Sequence, residues 1–295
     1  MTETPGILKG GSPTIAFGPM RLSTDLPLPS RERAIATICA ALDAGATVFD
    51  TADCYGPSPA EAHHNEALLA EAIARWGGPR DAILLATKSG NVRTSGGWAR
   101  DGRPEHIRAA CERSLRALGV SRIDLYQLHG PDAAVPFADQ VGALARLREE
   151  GKVGAVGLSN VGRRQLAEAR AIVPIASVQN RYSIWAREAE GLLSYCTAED
   201  IAFLAWSPLG GAGHVASLPV LDGIATARGV SVQQVALAWL LARSPVMIPI
   251  VGATRPETAR DSLAAVALRL TAEEKAAIDA ALPHEQLAPI EMPSR

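Results

Sequence analysis

No run of about 18 apolar residues occurs in this 295-residue chain, so no membrane-spanning helix is expected. A basic stripe and an acidic tail are both missing, and the formal net charge is −2, which argues against nucleic acid as a partner. Residues 1–10 lack a charged stretch followed by an apolar core, so no secretory signal is expected. Cysteine is sparse. Cys39, Cys54, Cys111 and Cys196 are scattered without a Cys-x-x-Cys pair, which argues against a disulfide framework and for reduced thiols in the cytoplasm.

Several nucleotide and catalytic signatures are absent as well. No Gly-x-Gly-x-x-Gly follows the first apolar run, and Gly211-Ala212-Gly213 lacks both the third glycine and the early position, so a Rossmann sheet is not supported. No Gly-x-x-x-x-Gly-Lys-[Ser/Thr] supports phosphoryl transfer, and Ser159 lacks the Gly-x-Ser-x-Gly elbow of a hydrolase. His63 and His64 lie near Glu61 and Glu66, but adjacent histidines point to different faces of a helix, so no metal site is expected. No linker, low-complexity tract or composition shift divides residues 1–295, which read as one domain.

What is present is a large apolar fraction and a regular alternation. Hydrophobic residues make up 47% and charged residues 20%, enough for a sizeable core. Eight short apolar runs (15–17, 47–49, 82–86, 122–128, 153–158, 177–179, 201–206 and 245–251) alternate with helical patterns such as 31–44, 65–75, 104–118 and 137–150. Such alternation predicts a parallel sheet, and eight units in this length predict an α/β protein of the closed (β/α)₈ TIM-barrel type. An open doubly wound sheet is the alternative. Residues 7–10 and 14–16 suggest an N-terminal hairpin capping the barrel bottom, and 272–280 an extra C-terminal helix. Residues 89–103, rich in Gly, Ser and Arg around Trp98, read as a long mobile loop serving a site.

In a barrel, the carboxyl ends of the strands converge on one mouth. Asp50, Lys88 and His129 end the second, third and fourth strands, and Tyr55 follows five residues after Asp50. Any one of them has an ordinary structural reading: a cap, a surface cation or a satisfied core histidine. Together on neighbouring strands they suit carbonyl reduction, which needs a proton for oxygen. Tyr55 is the expected proton donor, with the Lys88 ammonium lowering its pKa, Asp50 holding Lys88, and neutral His129 orienting the carbonyl.

The segments Phe49-Asp50-Thr51-Ala52-Asp53-Cys54-Tyr55-Gly56, Thr87-Lys88 and Gln127-Leu128-His129 resemble the motifs of the aldo-keto reductase superfamily, in its bacterial members. The likeness spans the chain from Gly18 to the Gly252 region. It implies that Asp50, Tyr55, Lys88 and His129 form the catalytic set. It also implies that Ser159, Asn160 and Gln179 bind the nicotinamide carboxamide, that Trp206 stacks on its ring, and that Ser207, Leu209 and Gly211 line the pyrophosphate. Glycine-rich backbone can approach phosphate closely.

Near the end of the barrel, the segment from Gly252 with Thr254 and Arg255, and Arg260 beyond it, resembles a 2′-phosphate site, so NADPH is the expected cofactor and NADH the alternative. The adenine contact departs from the family's Glu-Asn pair, since Asp261-Ser262 stands there. Met20, Cys54, Trp98 and Trp206 are expected pocket walls, with Arg21 as the nearby cation. The resemblance further suggests a small carbonyl compound as partner, pyridoxal-like or small aldehydes among them. A cofactor-binding regulatory subunit with little turnover is the non-enzymatic alternative.

Overall fold

A computed structural model describes residues 6–8, 12–211 and 218–282. Eight of its strands close into a parallel barrel: β1 (Ala16–Phe17), β2 (Val48–Asp50), β3 (Leu84–Ser89), β6 (Ile123–Leu128), β7 (Val153–Ser159), β8 (Ile175–Arg181), β9 (Ala202–Trp206) and β10 (Met247–Val251). Going round the barrel, the order is β1, β10, β9, β8, β7, β6, β3, β2. Helices follow the strands and form the outer layer. Every one of the eight apolar runs contributes a strand, and the barrel is the (β/α)₈ architecture that the alternation predicts.

Local chemistry sets the helix ends. Helix Arg31–Asp43 begins where the Ser30 side chain accepts from the Arg33 amide. Helix Pro104–Leu118 starts on proline and stops at Gly119, which takes a left-handed φ of 65°. The extra C-terminal helix, Ala272–Ala281, carries a capping box between Thr271 and Glu274.

Strand periodicity divides the core in two. Small and medium residues such as Ala16, Val48, Leu84, Ala86, Leu125, Ala202 and Ile248 fill the lumen. Outward residues such as Phe49, Leu85, Tyr126 and Phe203 join the helices in a second, larger core.

Two expectations are corrected. Gly6–Leu8 is a single 3-10 turn rather than a strand, and among the described residues β1 is flanked only by β10 and β2, both parallel; the rest of the expected N-terminal hairpin, residues 9–11, lies outside the described residues. Leu8 nonetheless packs into the lumen cluster at 1% exposure. Residues 89–103 are not an irregular loop. They contain an antiparallel hairpin, β4 (Asn91–Thr94) and β5 (Gly97–Arg100), standing outside the barrel. The Ser95-Gly96 turn between alternating residues is the signal that marks it.

Candidate active site

Asp50, Lys88 and Gln127 reach one point because strand side chains repeat every two residues. Each lies two positions after a lumen residue, Val48, Ala86 and Leu125 respectively, and so forms the next inward layer toward the carboxyl ends of the strands. Lys88 Nζ donates to Asp50 Oδ2 at 2.6 Å and to the Thr51 carbonyl at 2.8 Å. The other Asp50 oxygen accepts from Gln127 Nε2 at 3.0 Å and from Gln179 Nε2 at 2.9 Å. The buried charges are thus paired and hydrogen-bonded, as such charges must be. Gln127 is the member of this network to which sequence reasoning assigned no role.

Above this layer stand Tyr55 and His129. Tyr55 Oη is 3.4 Å from His129 Nε2, and Lys88 Nζ is 5.3 Å from the centre of the Tyr55 ring. Burial pushes the Tyr55 phenol well above its ordinary value, and the Asp50 carboxylate adds to the shift. The expectation that Lys88 lowers this pKa is therefore overturned: the ammonium is spent on Asp50, and desolvation of a phenolate dominates. Burial, followed by the charges of Lys88 and Arg100, holds His129 well below the usual imidazole value, so the ring is neutral.

Cys54 does not line the pocket. It is buried with Sγ 3.7 Å from His129 Nδ1, and burial pushes its thiol far up. The other ring nitrogen, Nε2, is the one facing Tyr55. His63 pairs with Glu66 at 2.5 Å, while His64 Nδ1 meets Ser23 Oγ at 2.9 Å, so the two adjacent histidines do serve different neighbours.

Two cavities meet at Tyr55 and His129. The larger, about 840 Å³, runs from Asp50 past Ser159, Asn160, Gln179, Trp206, Ser207, Leu209 and Gly211 to Gly252, Arg255 and Asp261. The smaller, about 450 Å³, lies under the hairpin and is bounded by Met20, Trp98, Tyr55 and His129 among others. Trp206 borders the larger one, not the smaller. Arg21 also borders the larger one, tied to Asp25 at 2.5 Å, so it is not the cation of the smaller pocket. Trp98 meets the Tyr55 ring edge-on at 6.2 Å and remains 49% exposed.

The long groove has rigid walls. Asn160 takes a left-handed φ of 58°, which asparagine tolerates. Its amide donates to the His129 carbonyl at 2.9 Å and its Oδ1 accepts from Trp206 Nε1 at 3.1 Å, fixing the indole. Ser207 and Gly211 also have positive φ, 51° and 112°.

At the far end the expected contacts divide. Arg255 borders the groove and, among the described residues, makes only an exposed 3.4 Å pair with Glu257. Thr254 and Arg260 do not line it; Thr258 does. Asp261 reaches it, but its carboxylate accepts from Ser231 Oγ at 2.8 Å and Gln234 Nε2 at 2.7 Å, binding two helices together. Gly18 and Gln233 are further wall residues that no local motif marks.

Comparison with known proteins agrees with the barrel. Residues 14–283 match the aldo/keto reductase family. The chain is 36% identical over 269 residues to an uncharacterized oxidoreductase of Schizosaccharomyces pombe, covering 90% of this chain and 85% of that protein. It is 33% identical over 301 residues to probable aldo-keto reductase 1 of Glycine max, covering 91% and 85%. Among solved structures, the aldo-keto reductase from Klebsiella pneumoniae in complex with NADPH superposes with a TM-score of 0.77 at 27% identity, covering 95% of each chain. The glycerol dehydrogenase of Gluconobacter oxydans gives 0.79 at 27% identity, covering 99% and 100%. Fold and site thus define a barrel oxidoreductase that uses a nicotinamide cofactor. The chain belongs to the aldo/keto reductase family, whose members generally carry out NADP(H)-dependent carbonyl reduction. Among the described residues, no helix is long and apolar enough to cross a membrane.

Proposed function

We propose that this chain reduces an aldehyde or ketone reversibly to the alcohol with NADPH, and that Tyr55 supplies the proton. The observation that carries the reading is the meeting of two cavities at Tyr55 and His129, one long enough for a dinucleotide and one suited to a small carbonyl compound. The residues present fit the cofactor. Gln179 and Ser159 offer polar groups at the inner end, the pinned Trp206 indole offers a flat wall, and the positive-φ backbone at Ser207 and Gly211 can approach phosphate. Arg255, exposed and weakly paired, is the cation for a 2′-phosphate, with Thr258 rather than Thr254 at its side. Helix Pro256–Ala264 begins there, and its free amides favour an anion.

When bound, the dihydronicotinamide supplies a hydride to the carbonyl carbon. The chain handles the oxygen. His129, neutral and with Nε2 turned toward Tyr55, donates in its Nε2–H tautomer to the carbonyl oxygen and orients it. Tyr55 stays protonated because burial disfavours its anion, and it gives its proton to the developing alkoxide, a much stronger base than a phenolate. The Lys88–Asp50 pair fixes the floor beneath the Tyr55 ring. Small aldehydes, pyridoxal-like ones included, are the starting substrates.

Tyr55→Phe tests this assignment. The expected result is a loss of roughly 100-fold or more in the rate of reduction with NADPH affinity close to wild type, since the hydroxyl faces the carbonyl rather than the groove wall. A Tyr55→Phe enzyme with wild-type kcat overturns it.

A further inference from the structure

The smaller cavity contains one charged residue, and it is not one that the aldo/keto reductase motifs mark. The hairpin alternation puts Asn91 and Arg93 on one face of β4, with Trp98 and Arg100 opposite them on β5 in the pairs Asn91–Arg100 and Arg93–Trp98. Asn91, Arg93 and Trp98 all border the cavity, which Met20 and Thr24 close on another side. The hairpin therefore delivers a cation and an indole together to the space above Tyr55.

Arg93 is poised for a ligand. Its guanidinium lies over the Trp98 ring, 5.1 Å from the ring centre, within cation–π reach. Among the described residues it has no carboxylate within 4 Å. Asp25 is paired with Arg21, and Asp132 accepts from the amides of Gly102 and Ala134. Arg100 does not border the cavity; it donates to Asn91 Oδ1 and packs so closely on Gly130 that a Cβ there would come within 2.3 Å of it. One guanidinium thus faces the cavity, and its planar fork matches the single charge and two oxygens of a carboxylate.

We propose that Arg93, seated on Trp98, is a specificity-determining subsite for a carboxylate at the far end of the carbonyl substrate, so that acidic aldehydes and ketones are this enzyme's preferred class. Trp98 touches both Tyr55 and Arg93, which spaces the carboxylate from the reacting carbonyl by about the width of one aromatic ring. The inference rests on Tyr55 and His129 marking the carbonyl end.

The test compares 4-carboxybenzaldehyde with its neutral isostere 4-carbamoylbenzaldehyde. Wild-type enzyme is expected to prefer the acid in kcat/KM. Arg93→Gln is expected to cut that preference by roughly 10-fold or more, chiefly through KM, as loss of one charge-assisted contact does. Arg93→Lys should keep part of it, and Arg164→Gln, on an exposed helix face elsewhere, all of it. A wild type that does not favour the acid, or an Arg93→Gln enzyme with an unchanged ratio, overturns the subsite while leaving the reductase reading intact. If neither aldehyde is reduced, the reductase reading fails, and tryptophan-fluorescence titration with 4-(hydroxymethyl)benzoate and 4-(hydroxymethyl)benzamide decides the subsite alone. Tighter acid binding that disappears in Arg93→Gln supports it, and equal affinities overturn it.

Discussion

Lys88 Nζ sits 2.6 Å from Asp50 Oδ2, and neither side chain is more than 5% exposed. Removing the lysine leaves a buried carboxylate held only by the amides of Gln127 and Gln179. Lys88→Met is therefore expected to destabilise the protein by about 3–5 kcal/mol, the cost of orphaning a buried ion, as read by urea denaturation. A loss below about 1 kcal/mol would mean that the two glutamines alone suffice.

The pH profile follows from the two groups at the mouth. Tyr55 is shifted upward by burial and by Asp50, so it remains a loaded acid beyond its ordinary value of 10.0. His129 is shifted downward by burial, Lys88 and Arg100, so it remains neutral at and somewhat below 6.5. Reduction should accordingly show level kcat/KM between about pH 6.5 and 9. Alcohol oxidation, in which Tyr55 must accept a proton, should rise with pH over the same interval. An alkaline fall in reduction centred below pH 9 and absent from Tyr55→Phe would contradict the upward shift.

Cofactor choice is expected to depend on Arg255. Its 3.4 Å pair with Glu257 is exposed, worth little, and easily exchanged for a phosphate. Arg255→Ala should weaken NADPH binding by roughly 10-fold or more and NADH binding much less, as measured by fluorescence titration. Equal losses for both cofactors would point to a disturbed helix terminus instead.

Trp98 offers a separate readout. Because it is half exposed on a hairpin outside the barrel, Trp98→Ala should move the melting temperature little. It should instead raise KM for aromatic aldehydes more than for small aliphatic ones. A uniform loss of activity that tracks a lowered melting temperature would make Trp98 a packing residue.

The barrel and its central residues were legible in the chain because both depend on short-range periodicity. Alternation of apolar runs with helical patterns gives eight strands, and a polar residue two positions after a lumen residue must face the mouth, which brings Asp50 and Lys88 together, with His129 one step beyond the end of its strand. The state of those residues depends on neighbours distant in sequence, and only the tertiary structure decided it. Lys88 alone suggests an acidified Tyr55; Lys88 bound to Asp50 inside a dry mouth gives the opposite. Asp261 looks like a nucleotide contact until Ser231 and Gln234, some thirty residues earlier, occupy its carboxylate. Cys54 turns to His129, 75 residues away, instead of to the pocket. Arg93 gains its place only when β4 folds back on β5 and stands it over Trp98. Periodicity sets the direction in which a side chain points, whereas burial and the partner at its tip set its charge and its use, and those are properties of the closed fold.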